Sequence, residues 1–221
     1  MFRLKLALRS VIVVALAGAI LFGAAGRVDL PAFWIYLVLL GAFVLGAVLG
    51  VTPELLAERF QPAGAGHDSL ACLRLAAVLV FVSELVLAGL DVGRWRGSAV
   101  PPAVQALAFV GLGTFLAVWT WSMRTNPFFS AAVRVQHERG HRVVSTGPYA
   151  LVRHPGYAAF VLLGACAPLA LGSWWATLPH LVVVALFVRR ARLEDRVLQA
   201  ELPGYSAYAR RVRYRFLPGI W

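Results

Sequence analysis

The stretch YAAFVLLGACAPLALGSWWATLPHLVVVALFV, residues 157–188, runs 32 residues without an acidic or basic side chain, its one titratable group with a pKa near neutral being His180. A single membrane crossing needs about 20 apolar residues, so this run is too long for one helix and short for two. Pro168 and the LGSWW sequence at 171–175 interrupt it. The reading is a tight helical hairpin with its tip near Gly172, made of two short or tilted helices. Four further apolar runs precede it, at Val11–Gly26, Ala32–Val51, Leu70–Leu90 and Ala103–Trp121. The expected fold is therefore all-α: a polytopic transmembrane bundle of four spans plus a C-terminal transmembrane helical hairpin and a cytosolic, Arg-rich tail.

Composition agrees. The 221 residues are 60% hydrophobic and 14% charged, and mean hydropathy is +0.75, where a soluble domain carries about a quarter charged residues. The net charge of +11 raises the question of nucleic acid, and its distribution answers it. With an inside N-terminus and six crossings, 18 of the Lys and Arg residues fall on inside segments, and only Arg27, Arg94 and Arg96 fall outside. That asymmetry is the positive-inside signal, so the surplus faces anionic headgroups and no nucleic acid is implied. The expected setting is a multi-pass protein of a bacterial inner membrane with both termini cytosolic. The bacterial source is suggested by 20 Arg against one Lys. The opening 26 residues have the basic start and apolar centre of a leader, and are expected to stay as an anchor. Cys72 and Cys166 lie inside apolar runs, so no disulfide framework is expected.

Residues 1–123 read as a four-span scaffold and lipid-substrate cavity, and 124–221 as the cofactor-binding and catalytic region. In the first part Glu84 stands out, a carboxyl at mid-span and hence a substrate-contact candidate. In the second, His137-Glu138-x-x-His141 has zinc-peptidase spacing. Gly140 disfavours a helix there, two valines and a Ser-Thr-Gly-Pro turn follow, and no third ligand stands out. No metal is expected.

The chemistry lies just beyond, in HRVVSTGPYALVRHPGY at 141–157. Gly147-Pro148 and Pro155-Gly156 set turns, holding Tyr149, Arg153, His154 and Tyr157 at the membrane surface. A hairpin returns the chain to the side it left, so Arg189, Arg190, Arg192, Glu194 and Asp195 should be their neighbours. Cationic donors beside carboxylates and aromatic rings suit a zwitterionic, partly aromatic ligand.

Three spaced motifs carry a resemblance over residues 124–221: Arg153-His154-Pro155-Gly156-Tyr157, then Arg190 with Glu194-Asp195, then Tyr205, Tyr208 and Arg211-Val212. Together the segment resembles the isoprenylcysteine carboxyl methyltransferase family and the related phospholipid N-methyltransferases. The family pattern has Glu where this chain has Asp195, one methylene shorter. PELLAER at 53–59 also resembles a cytosolic loop of bacterial members.

The resemblance implies S-adenosyl-L-methionine bound at the cytosolic surface, with a lipidic or prenylated acceptor. It implies cofactor contacts from Gln136, Val144, Gly147, Pro148, Tyr149, His154, Tyr157, Glu194 and Asp195. The methionyl carboxylate suits His154 or an arginine; the ammonium and ribose suit Glu194 and Asp195; the sulfonium and adenine suit Tyr149 and Tyr157. Arg153, Arg190 and Glu194 are the catalytic candidates, and Tyr205, Tyr208 and Arg211 join Glu84 as substrate candidates. Carboxylate O-methylation is favoured. The alternatives are a phospholipid amine or thiol methyltransferase of the same fold, an NADPH-dependent membrane isoprenoid or sterol reductase, and a non-enzymatic scaffold.

Overall fold

The computed structural model describes residues 2–49, 52, 55, 58 and 70–221. Its long elements are helices α1 (Phe2–Ala25), α2 (Pro31–Leu49), α3 (Leu70–Gly89), α4 (Pro102–Thr125), α5 (Pro155–Leu171) and α6 (Leu178–Glu201), followed by the short α7 (Tyr205–Arg211). No β-strand occurs among the described residues. Helices satisfy their own backbone hydrogen bonds, which apolar surroundings demand. Proline opens α2, α4 and α5, where its missing N–H costs nothing.

Among the described residues, three helices are long and apolar enough to cross a membrane: Leu8–Ala25, Ala71–Trp95 and Pro102–Thr125. Pro31–Ala47 and Pro155–Leu171 are apolar but shorter. Of the six crossings expected from the sequence, three therefore correspond to helices with the full length and hydropathy of a span. α6 falls outside because its second half, from Arg189, is charged.

The long apolar run breaks where α5 ends, at Gly172, whose φ of +89° is open to glycine and costly for other residues. Pro168, expected to interrupt the run, lies inside α5 instead. It stands within a turn of the helix end, and the Ser173 N–H closes back on its carbonyl at 3.0 Å, so the chain leaves the helix only after it.

The chain forms two compact units, Met1–Gly50 with Leu75–Leu116 and Val161–Val184, and Val51–Arg74 with Ala117–Phe160 and Ala185–Trp221. They interleave along the chain, whereas the division expected from the sequence is a single boundary at residue 123. The first unit buries Ala17, Leu21, Phe33, Leu85, Ala88, Leu112, Ala167 and Ala170; the small residues let helix backbones approach. Its outward faces carry Val38 and Leu107, each 70% exposed, a pattern that water disfavours and lipid does not.

One close approach in this unit is a point of prediction. A Cβ on Gly164 would lie 1.5 Å from the His180 ring. Gly164→Ala is expected to cost about 1–3 kcal/mol through overpacking, read as a lower thermal midpoint in detergent. An unchanged midpoint would mean that the two residues do not pack this way.

The second unit has a different character. Residues 126–154 form an irregular connector with single 3₁₀ turns at His137–Arg139 and Gly147–Ala150. Val133 and Val135 of the connector pack with Val197, Leu198, Leu202, Tyr205, Tyr208 and Val212.

Candidate active site

The second unit holds the site, which grows from the RHP sequence. The N–H groups of Arg153 and His154 donate to the carbonyls of Tyr214 and Arg215, both at 2.9 Å, so the tail fixes these two residues just before Pro155 opens α5. On α6, Arg190 and Glu194 are four residues apart and share a face, and Asp195 follows.

Asp195 is 2% exposed and is the centre of a buried network. Its Oδ1 accepts from Arg153 Nε (3.2 Å) and Tyr205 OH (2.7 Å) and meets His154 Nε2 at 2.9 Å. Its Oδ2 accepts from Arg153 Nη2 (2.8 Å) and Arg215 Nε (2.6 Å). Burial alone would raise the Asp195 carboxyl, but the bonds to His154, Arg153 and Tyr205 hold it below the usual carboxylate range. Burial and the Asp195 charge push the Tyr205 phenol up, so it remains a donor. Arg153 also donates to the carbonyls of Val212 (2.9 Å) and Arg213 (3.0 Å).

In front of this network lies the opening. Asn126, Phe128, Phe129, Arg134, His141, Tyr149, His154, Tyr157 and Glu194 contribute to the wall of a cavity of about 70 Å³. Glu194 Oε2 accepts from Tyr157 OH at 2.6 Å and lies 3.8 Å from His154 Nδ1. Arg190 Nε donates to the same Tyr157 oxygen at 2.8 Å, and its Nη2 reaches the Ala131 carbonyl. The Tyr157 ring stacks with His154 (centroids 5.5 Å) and Phe187 (5.0 Å).

The residues named from sequence thus divide. His154, Tyr157, Tyr149 and Glu194 line the cavity, as does Arg153, whose guanidinium is nevertheless committed to Asp195 and the tail. Asp195 sits behind His154 with both oxygens engaged, a place unsuited to the direct cofactor contact expected of it. Gln136, Val144, Gly147 and Pro148 do not line the cavity. The Gln136 amide is fully buried, donating to the Phe128 carbonyl and accepting from Arg139. Tyr205 and Tyr208 are pins, the latter donating to the Tyr149 carbonyl at 2.8 Å, and Arg211 is exposed on α7. Glu84 belongs to the first unit, 5% exposed and 4.0 Å from His180 Nδ1.

The sequence reading missed Asn126, Phe128, Phe129 and Arg134 in the wall. The Asn-Pro step at 126–127, a turn signal directly after α4, was the available clue. It also set His141 aside with the zinc motif. His137–Arg139 is a 3₁₀ turn ended by Gly140 at φ +62°, so the two histidines do not share an α-helical face. His141 instead stacks on Phe128 (4.4 Å) and accepts the Gln136 N–H on Nδ1 at 3.2 Å. Burial lowers its pKa to about 4, leaving it neutral at pH 7 with a donor on Nε2. Of the Pro53–Arg59 stretch all but Leu55 and Glu58 lie outside the described residues; Glu58 accepts from Ser130 (2.7 Å) and from Arg134 (3.1 Å).

Comparison with known proteins places this arrangement. Residues 106–200 match the isoprenylcysteine carboxyl methyltransferase (ICMT) family profile. The chain is 31% identical over 160 residues to the cobalt-zinc-cadmium resistance protein CzcN of Cupriavidus metallidurans, covering 68% of each protein. This protein belongs to the ICMT family. It is also 30% identical over 110 residues to the protein-S-isoprenylcysteine O-methyltransferase of Schizosaccharomyces pombe, over 49% of this chain and 46% of that enzyme. The profile match runs from within α4 to within α6, and so covers the positions that line the cavity. Membership implies methyltransferase activity in a membrane-embedded helical protein.

Proposed function

We propose that this protein transfers a methyl group from S-adenosyl-L-methionine to a lipidic or prenylated acceptor at the cytosolic face of a bacterial inner membrane, both termini lying on that side. The observation that carries the reading is the meeting of His154 Nδ1 and Glu194 Oε2 at 3.8 Å in one cavity wall. The donor set suits the cofactor: a half-buried carboxylate and an imidazole for its ammonium and ribose hydroxyls, and the Tyr149, Phe128 and Phe129 rings for its purine. Space is the constraint. About 70 Å³ holds a few waters, whereas small-ligand sites span roughly 300–1,000 Å³, so binding requires the wall to open. The Tyr157–Glu194 bond closes part of that wall and is the natural place for it to part.

The cofactor supplies an activated methyl group on a sulfonium, so the residues' task is alignment and exclusion of water. Glu194 accepts hydrogen bonds from the bound molecule, Arg190 holds the Tyr157 hydroxyl in place, and Arg153 ties the RHP segment to the tail. A carboxylate acceptor, favoured by the S-isoprenylcysteine O-methyltransferase relative, needs no general base. A phospholipid amine or a thiol needs a proton acceptor, and His154 is placed to be one.

Titration calorimetry of the purified protein tests the reading against its rivals. Binding of S-adenosylhomocysteine, with none of NADPH, is expected. Binding of NADPH alone would point to a reductase, and binding of neither to a scaffold. Methyl-labelled cofactor added to native membranes would then mark the acceptor.

A further inference from the structure

His154 has two ring nitrogens with different tasks. Nε2 points back at Asp195 Oδ1 (2.9 Å), and Nδ1 points toward the cavity and Glu194 (3.8 Å). We propose that Asp195 is a positioning residue: it fixes His154 as the tautomer protonated on Nε2, so that Nδ1 offers a lone pair to the cavity. The group received there is a hydrogen-bond donor, an ammonium or a hydroxyl, and not a carboxylate.

Three features support this assignment. Asp195 is ionised and saturated by donors, so the nitrogen facing it must donate too. Its carboxylate is pinned from both sides, by Arg153 and Tyr205 on Oδ1 and by Arg153 and Arg215 on Oδ2, so it cannot turn away. The ring is held as well: it stacks on Tyr157, and Phe216 meets it edge-on with centroids 6.4 Å apart. The tail that brings Arg215 is itself anchored, since the Arg215 guanidinium lies 5.0 Å from the Trp221 ring centroid and the Arg215 N–H donates to the Trp221 carbonyl at 2.7 Å. A carboxylate that orients an imidazole through one nitrogen while the other does chemistry is a recurrent arrangement in enzymes.

The departure from the family pattern at this position acquires a reason. Asp195 reaches Arg153, His154, Tyr205 and Arg215 at once from within the network, and no ligand contact is demanded of it. What the longer Glu side chain of other members would gain in reach toward a ligand is not needed here.

The inference rests on the methyltransferase reading for its ligand, but its test does not. In protein carrying ¹⁵N-labelled histidine, with His154 assigned by comparison with His154→Gln, Nδ1 is expected to show the shift of an unprotonated ring nitrogen at pH 8, and Nε2 that of a protonated one. Protonated Nδ1, alone or with Nε2, would overturn the proposal. Asp195→Asn supplies the second arm. Oδ2 faces two guanidinium N–H groups at 2.8 and 2.6 Å, whereas Oδ1 faces one at 3.2 Å and a Tyr205 hydroxyl that can turn to accept. The new amide nitrogen therefore takes the Oδ1 place, faces Nε2 and donates to it, moving the His154 proton to Nδ1. The ¹⁵N pattern should invert, and S-adenosylhomocysteine affinity should fall at least tenfold, with Asp195→Glu staying within about threefold of the parent. An uninverted pattern in folded Asp195→Asn would equally overturn the proposal. Should the parent protein bind no S-adenosylhomocysteine at all, the methyltransferase reading fails, while the nitrogen shifts still decide the tautomer.

Discussion

Glu194→Ala is expected to weaken S-adenosylhomocysteine binding at least tenfold, about 1.4 kcal/mol, and to remove methyl transfer to membrane lipid, while leaving the protein folded. The side chain is 29% exposed; it accepts a hydrogen bond from the Tyr157 hydroxyl and faces His154 Nδ1 across 3.8 Å. When it is cut back, the Tyr157 oxygen still accepts from Arg190 Nε at 2.8 Å, but the Tyr157 O–H loses its acceptor, a cost of about 1–3 kcal/mol that leaves the fold standing. The cost to binding follows because Glu194 is, among the described residues, the one carboxylate in the cavity wall, and S-adenosylhomocysteine presents an ammonium and two ribose hydroxyls that need acceptors. His154→Ala should match it in affinity, since it removes the opposite side of the same 3.8 Å gap. Calorimetry reads both, and parent-like affinity in the pair of variants would remove the site assignment altogether.

The sequence made much of this site legible, and the reasons are local. Proline and glycine mark the ends of α5, the acidic pair follows the last apolar residue of the hairpin run by a few positions, and a hairpin must bring these together. Residue 154 and residue 194 therefore met as expected. What sequence could not separate was front from back. Glu194 and Asp195 are adjacent and alike in charge, yet consecutive helix positions point about 100° apart, and so one reaches the cavity and the other the tail network. Arg153 and His154 divide as well, outside any helix: the tail carbonyls of Tyr214 and Arg215 fix both backbone N–H groups, and it is the Arg153 side chain that reaches the carbonyls of Val212 and Arg213. The wall from the connector was hidden for a different reason. Its residues follow no helical period, so Asn126, Phe128 and Arg134 are placed by long-range contacts such as that of Arg134 with Glu58, which leave no periodic trace. Span count suffered similarly, because α6 carries an apolar first half and a charged second half, and averaging over the helix conceals both.

Arg153→Ala is expected to have the opposite signature, losing stability by about 3–5 kcal/mol, since it strips a buried carboxylate of a bidentate partner. Arg153 spans Asp195 and the tail carbonyls, and those carbonyls are left without their donor as well. The remedy that often rescues a broken ion pair, replacing both members with apolar residues, should fail here. Asp195→Leu on the Arg153→Ala background also strands Tyr205, Arg215 and His154, whose acceptor it is. Acid provides a check of sign. Because the Asp195 carboxyl is held below its ordinary range, the network stabilises fully above about pH 4 and loses that contribution only as pH falls through the depressed value. The gap in melting temperature between parent and Arg153→Ala should therefore be constant from pH 8 to about pH 5 and narrow only in stronger acid. A variant that melts with the parent at neutral pH would show that Arg153 is not structural, and would return it to the catalytic role that its place beside His154 first suggested.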